Sequence, residues 1–265
     1  MLDSDPEKIA FLGLGAMGFG MATNLLRTFP NITGFDVYGP TLQRFVSAGG
    51  KAATTPKDCV KDAKYVVFMV ATAAQILSAL FDDETGAVGA LEKGAVLLLC
   101  STGPPEHVPI VRKKLDGIGR SDVFVVDAPV SGGTIRAADG TLSIFASGRE
   151  EDLEVGKKVL GAMAGPNLWI IPGGIGAGTK VKMVHQVLAG IHITMASEGM
   201  GFVAALGLGT KRAFEKLLEG EAASWMFSNR GPHMLVVDEK VYSALNIIVK
   251  DVVSAGFGER RVELS

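Results

Sequence analysis

At 265 residues, with 48% hydrophobic content and a formal net charge of -2, the chain can fill more than one core and is not a disordered polymer; it has no dense Lys/Arg run to meet nucleic acid. Its two cysteines, Cys59 and Cys100, exclude a disulfide scaffold and a Cys-rich zinc site. Met1 to Lys8 holds three acids and no apolar core, which fits neither a secretory signal nor a transit peptide; read as a complete end, it implies a cytosolic protein.

The first element is Ile9-Ala10-Phe11-Leu12, an apolar run short enough for a buried parallel strand. It breaks into Gly13-Leu14-Gly15-Ala16-Met17-Gly18, a GxGxxG spacing that opens a helix running to Leu26. Gly13 allows the sharp turn, Gly15 lets the backbone approach a pyrophosphate, and Gly18 lets helix and strand pack closely. The helix start, at Ala16 and Met17, turns N–H groups and the positive dipole end toward the phosphates. A second strand, Asn31 to Phe35, ends in Asp36 at about the offset of 20 residues where an acid grips the adenosine ribose. Asp36 also suits a turn, but no arginine follows to receive a 2'-phosphate, so NAD is favoured over NADP.

A helix over Thr41 to Ala48 and another opened by Pro56 lead to the strand run Tyr65 to Val70, the helix Ala74 to Phe81 and the strand Ala95 to Cys100. That last strand exits at Ser101-Thr102, where ligands sit in open α/β sheets; the two hydroxyls either face the cofactor or cap the next helix. After a helix over Pro105 to Leu115, the strand Val123 to Asp127 runs into Ala128-Pro129-Val130-Ser131-Gly132-Gly133. Ser131, Gly132 and Gly133 supply a hydroxyl and exposed N–H groups, a nest suited to a carboxylate, or else form a plain glycine turn. Strand Thr141 to Ser147, helix Glu150 to Met163 and strand Leu168 to Ile171 keep the alternation. The N-terminal fold expected is therefore α/β, a Rossmann-type doubly wound parallel sheet over residues 1–173.

From Gly174 strand signals vanish, and an all-α domain is expected over residues 174–265. The apolar stretch Val181 to Leu208 is interrupted by Lys182, His185, His192 and Glu198, so it reads as a buried helix and not a membrane span. Its Val181, Val184, Leu188, Ile191 and Met195 stripe calls for further helices, with candidates in Phe214 to Leu218, Ser224 to Phe227 and Ala244 to Val253. Trp225 and Phe227 read as packing aromatics. His185 and His192 lie seven residues apart with no third ligand, and His107 and His233 are isolated, so no metal site is expected.

Lys182 and Gln186, four residues apart, project from one face near the start of the long helix. A lysine there opposes the helix dipole, and partial burial lowers its pKa toward neutrality, which suits an amine that takes and returns a proton. A solvent-facing lysine is the other local reading.

The GLGAMG run, the Ser101-Thr102 exit, DAPVSGG followed by Gly140-Thr141-Leu142, GAGTKVKMVHQ and Lys250-Asp251 occur in one order from about Ile9 to Asp251. In this the chain resembles the β-hydroxyacid dehydrogenase family, whose fold is 6-phosphogluconate dehydrogenase-like. The resemblance implies an NAD-dependent oxidoreductase of small hydroxy acids. Lys182 would be the general base, Ser131, Gly132 and Gly133 would hold the substrate carboxylate, Gln186 would orient the substrate, and Lys250 would reach the cofactor. His185-Gln186 is similar to the pair in threonate-type members, which favours a four-carbon sugar acid; 3-hydroxyisobutyrate and tartronate semialdehyde are the alternatives. The resemblance further implies a homodimer or homotetramer built on the helical half. The segment before Lys250 and the short stretch after Asp251 differ from the family pattern, so the C-terminus reads as truncated or divergent and an under-packed helical domain is expected. Two rival readings are imine reduction, against which Lys182 is retained, and a nucleotide-binding scaffold without turnover.

Overall fold

Four apolar runs that offer no polar face, beginning with Ile9–Leu12, can only be strands covered on both sides. The computed structural model describes residues 7–236. In chain order the elements are β1 (Ile9–Leu12), α1 (Ala16–Leu25), β2 (Ile32–Phe35), α2 (Gly39–Ser47), β3 (Lys51–Ala52), α3 (Pro56–Val60), β4 (Tyr65–Phe68), α4 (Ala73–Phe81), β5 (Val96–Leu99), α5 (His107–Gly117) and β6 (Phe124–Asp127). Then come β7 (Val130–Ser131), α6 (Gly133–Asp139), β8 (Ser143–Ala146), α7 (Glu150–Ala164), β9 (Leu168–Ile170), α8 (Ala177–Ala205), α9 (Thr210–Leu217) and α10 (Trp225–Met234). The chain divides into two compact units, one ending at Lys182 and the other beginning at Met183.

In the first unit β1 to β6 form one parallel sheet in the order β3-β2-β1-β4-β5-β6. This is the doubly wound order, with its switch point beside β1. Side chains alternate across it: Ile9 and Phe11 enter the layer that holds α1 and α7, while Ala10 and Leu12 enter the layer that holds α3, α4 and α5. The helix expected from Ala74 starts one residue earlier. Thr72 and Gln75 form a reciprocal capping box there.

The last strands depart from the single sheet expected. β7 pairs antiparallel with β8, and β8 pairs parallel with β9, in a separate three-stranded sheet. A bridge between Asp127 and Ser147 joins the two sheets, with amide-to-carbonyl distances of 3.0 and 2.8 Å. Ala128 and Pro129, the latter with no amide to donate to a ladder, separate β6 from β7, and β7 pairs with β8 instead of extending the large sheet.

In the second unit Met200, Phe214 and Phe227 are buried together, and the rings of Phe214 and Phe227 meet edge-on at 5.0 Å. Phe227 therefore packs as expected, whereas Trp225 is exposed. The reading of α8 as a buried helix needs correction. Val184, Leu188, Ile191 and Met195 are each more than half exposed, because among the described residues α9 and α10 pack only toward the C-terminal end of α8, near Ala196 and Met200. By length and hydropathy alone α8 could cross a membrane, but its Thr179 is fully buried and hydrogen-bonded inside the first unit. The candidate helix at Ala244 to Val253 lies outside the described residues.

Candidate functional site

The glycine turn does what its spacing predicts. Gly13 has φ +94°, and a side chain on it would collide with the carbonyl oxygen of Met69; a side chain on Gly18 would collide with the carbonyl oxygen of Gly13. Both glycines are therefore required by the protein's own packing. Gly15 differs: its φ is -62°, and nothing lies within 4 Å of where a Cβ would stand. It caps α1 without a side chain, and with Ala16 it is exposed, so the first-turn N–H groups face open space. A helix start left open in this way has the geometry that could hold a phosphate group.

Asp36 closes the other side of the turn. Its Oδ2 accepts from the amide of Leu14 at 2.6 Å and its Oδ1 from the amide of Tyr38 at 2.9 Å. An ionised carboxylate has about four acceptor sites, so two bonds hold it in place and leave capacity for the vicinal hydroxyls of a ribose. Ser101 is buried, and its hydroxyl accepts from the amide of Val70 at 2.9 Å. Because Met69 is the residue Gly13 packs against, Ser101 braces the loop beside the glycine turn. Thr102, next to it, is half-buried.

At the far end of the sheet, Ser131 pairs with Ser143 of β8, and Gly132 and Gly133 follow with φ of +139° and +75°. Two successive positive φ values turn the Ser131 loop sharply into α6, and the Arg136 side chain fills the space a Cβ on Gly132 would take.

The same strand, β8, also seats the start of α8. A side chain on Gly178 would collide with the carbonyl oxygen of Phe145, which explains the glycine in the GAGTK segment. Gly176 has φ +91°, and its carbonyl accepts the first helical bond, from Lys180 at 3.1 Å, so the cap position has no side chain of its own. Two residues from distant strands supply the missing acceptors. Asp127, fully buried at the end of β6, takes the Thr179 amide on Oδ2 at 2.8 Å and the Thr179 hydroxyl on Oδ1 at 2.6 Å. Ser147 accepts from the Gly178 amide at 2.8 Å and donates to Asp127 Oδ2 at 3.1 Å. Burial pushes the Asp127 carboxyl above the usual range, opposed by the Thr179 hydroxyl, the Thr179 amide, Ser147 and the nearby charge of His107.

Lys182 lies three residues beyond Thr179 and is only 4% exposed, so the buried alternative holds and the solvent-facing one does not. On the same helix, His185 Nδ1 stands 3.1 Å from Gln186 Oε1, and the Nδ1–H tautomer donates to the amide oxygen. Lys250 lies outside the described residues. Among those described no group of three His, Cys, Asp or Glu side chains is placed to hold a metal ion. Sequence reasoning missed Asp127, Ser147 and Thr179. The available signal was an acid ending a wholly apolar strand and a Thr in the first turn of the lysine's helix.

Residues 8–183 match the family model described as the NAD binding domain of 6-phosphogluconate dehydrogenase, and residues 176–264 match that described as NAD-binding of NADP-dependent 3-hydroxyisobutyrate dehydrogenase. The chain is 36% identical over 246 residues to an L-threonate dehydrogenase of Cupriavidus necator, spanning 93% of this chain and 81% of that one. It is 33% identical over 227 residues to an NAD-dependent L-serine dehydrogenase of Pseudomonas aeruginosa, spanning 85% of this chain and 74% of that one. Among solved structures it is similar to a 3-hydroxyisobutyrate dehydrogenase of Salmonella typhimurium, with a TM-score of 0.84 and 32% identity over 94% of this chain and 85% of the other.

Proposed function

Since the chain belongs to the β-hydroxyacid dehydrogenase family and is an oxidoreductase acting on hydroxy acids, we propose that it oxidises a four-carbon sugar acid of the threonate type, using NAD and Lys182 as general base. The observation that carries this reading is the burial of Lys182 one turn into a helix whose start is fixed on the sheet. The chemistry NAD would supply there is that of a hydride acceptor for the hydrogen on the carbinol carbon. The neutral amine of Lys182 takes the hydroxyl proton in oxidation and returns it in reduction. Ser131, Gly132 and Gly133 hold the substrate carboxylate through the Ser131 hydroxyl and backbone N–H groups. Gln186, one helical turn beyond Lys182, orients the substrate hydroxyls, and Lys250 contributes to the cofactor site.

Gly13, Gly15, Gly18, Ala16 and Met17 would hold the cofactor's pyrophosphate at the start of α1, and Ser101 and Thr102 would contribute to the same cofactor site. Asp36 accepts the ribose hydroxyls, and its charge repels a 2'-phosphate, which supports NAD over NADP. The threonate preference rests on relatives of that name at 32% to 36% identity and on the His185-Gln186 pair. The domain division that fits this reading assigns residues 1–173 to cofactor binding and residues 174–265 to substrate binding and assembly. A second copy of the chain covers the exposed α8 stripe in a cytosolic homodimer or homotetramer, and burying such a stripe stabilises association.

Reduced-cofactor formation measured with L-threonate, D-erythronate, 3-hydroxyisobutyrate, L-serine and glycerate, each with NAD and NADP, tests the substrate. Turnover of the first two with NAD is expected, and none with either sinks the preference. Lys182→Ala should lower kcat on the order of a hundred-fold or more while leaving NADH binding nearly intact.

A further inference from the structure

We propose that Asp127, acting through Thr179 and with Ser147, is the positioning device for Lys182: it caps the first turn of α8 from the sheet and so fixes where the lysine stands. This rests on the reading of Lys182 as the proton-transferring group.

A helix that needed only a start would place Ser, Thr, Asp or Asn at its own cap. Here the cap position is Gly176, and the first-turn amides of Gly178 and Thr179 are taken by side chains from β6 and the end of β8. The separations of 31 and 52 residues make this a tertiary attachment and not a local turn. Gly178 adds a third point of fixation, since its Cα packs against the carbonyl of Phe145 so closely that no side chain fits.

A buried carboxylate is costly unless it is fully bonded, and Asp127 accepts from three donors, two of them on Thr179. An apolar residue at the end of β6 would satisfy the sheet as well as leucine does at the end of β5. What the acid adds is direction: a bidentate grip on Thr179 sets both the position and the rotation of the first turn of α8. Lys182 follows at i+3, on nearly the same face, and proton transfer demands placement within about 0.5 Å. His107, buried in the first turn of α5 with Nδ1 2.6 Å from the Pro104 carbonyl, lies near enough for its charge to act on Asp127.

The test compares Thr179→Val, which keeps the shape and removes the hydroxyl, with Thr179→Ser, which keeps the hydroxyl, and with Ser147→Ala as an independent loosening of the Gly178 amide. Readouts on the full chain are kcat and KM for the hydroxy acid, Kd for NADH, and hydrogen exchange of the Gly178 and Thr179 amides. Thr179→Val and Ser147→Ala should lose about ten-fold or more in kcat, with NADH Kd changed by less than about two-fold and faster exchange of the first-turn amides. Thr179→Ser should recover most of the kcat. Faster exchange with unchanged kcat overturns the inference, as does equal loss in Thr179→Ser and Thr179→Val, or a kcat loss matched by lost NADH affinity. If Lys182→Ala is inactive while Thr179→Val keeps full kcat, this inference alone fails. If Lys182→Ala turns over like the parent, the reading of the base fails and carries the inference with it.

Discussion

Asp36 accepts a 2.6 Å hydrogen bond from the amide of Leu14, so the acid at the end of β2 is held by the glycine turn that follows β1. The Asp36 carboxylate and the glycine turn are thus one structural unit. Asp36→Ala should weaken NAD more than NADP, shifting the ratio of kcat/KM values toward NADP by about ten-fold or more, since one charge-assisted contact and one repulsion disappear together. Steady-state kinetics with both cofactors checks this; an unchanged ratio would show that Asp36 does not discriminate.

Gly13 and Gly15 should separate stability from binding. Gly13→Ala forces a Cβ into the Met69 carbonyl at a positive φ and should destabilise by about 2–4 kcal/mol. Gly15→Ala meets nothing in the protein and has an ordinary φ, so its melting temperature should stay near that of the parent while its affinity for NADH falls. Thermal denaturation alongside fluorescence titration distinguishes the two.

Acid stability should depend on Asp122. The guanidinium of Arg120 beside it, helped by the Gly94 amide, holds its carboxyl down to about 2. A depressed acid stabilises the fold above its unfolded pKa, and that contribution is lost as pH falls from the ordinary carboxylate range toward 2. Asp122→Asn should therefore melt lower than the parent at neutral pH, with the gap closing between about pH 4 and pH 2. A gap independent of pH would refute the ion pair as its source.

The second unit should be sensitive to one aromatic ring. Phe214 is buried with Met200 and Phe227 and packs on both Phe227 and Gly231. Phe214→Ala should cost about 3–5 kcal/mol. Limited proteolysis should then cut after Met183 well before the sheet of the first unit is attacked; equal resistance in variant and parent would contradict this.

The central strands were legible because burial on both faces leaves only apolar residues: β1 is the run Ile9–Leu12, and β4 and β5 lie within the expected runs Tyr65 to Val70 and Ala95 to Cys100, one or two residues shorter at the ends. The glycine turn was legible because two of its three glycines have no tolerable substitute. The antiparallel β7–β8 pair was not, since β7 is two residues long and pairing direction leaves no periodicity behind. The stripe on α8 announced an apolar face but could not say what covers it. Asp127 escaped notice because its role is defined by Thr179, and a bond across so much chain has no local signature.

That separation has a consequence for the order of events in folding. The amides of Gly178 and Thr179 in the first turn of α8 are taken by Ser147 and Asp127, which requires β6 and β8 to be already side by side. The attachment of this turn, and with it the setting of Lys182, thus follows the pairing of those two strands.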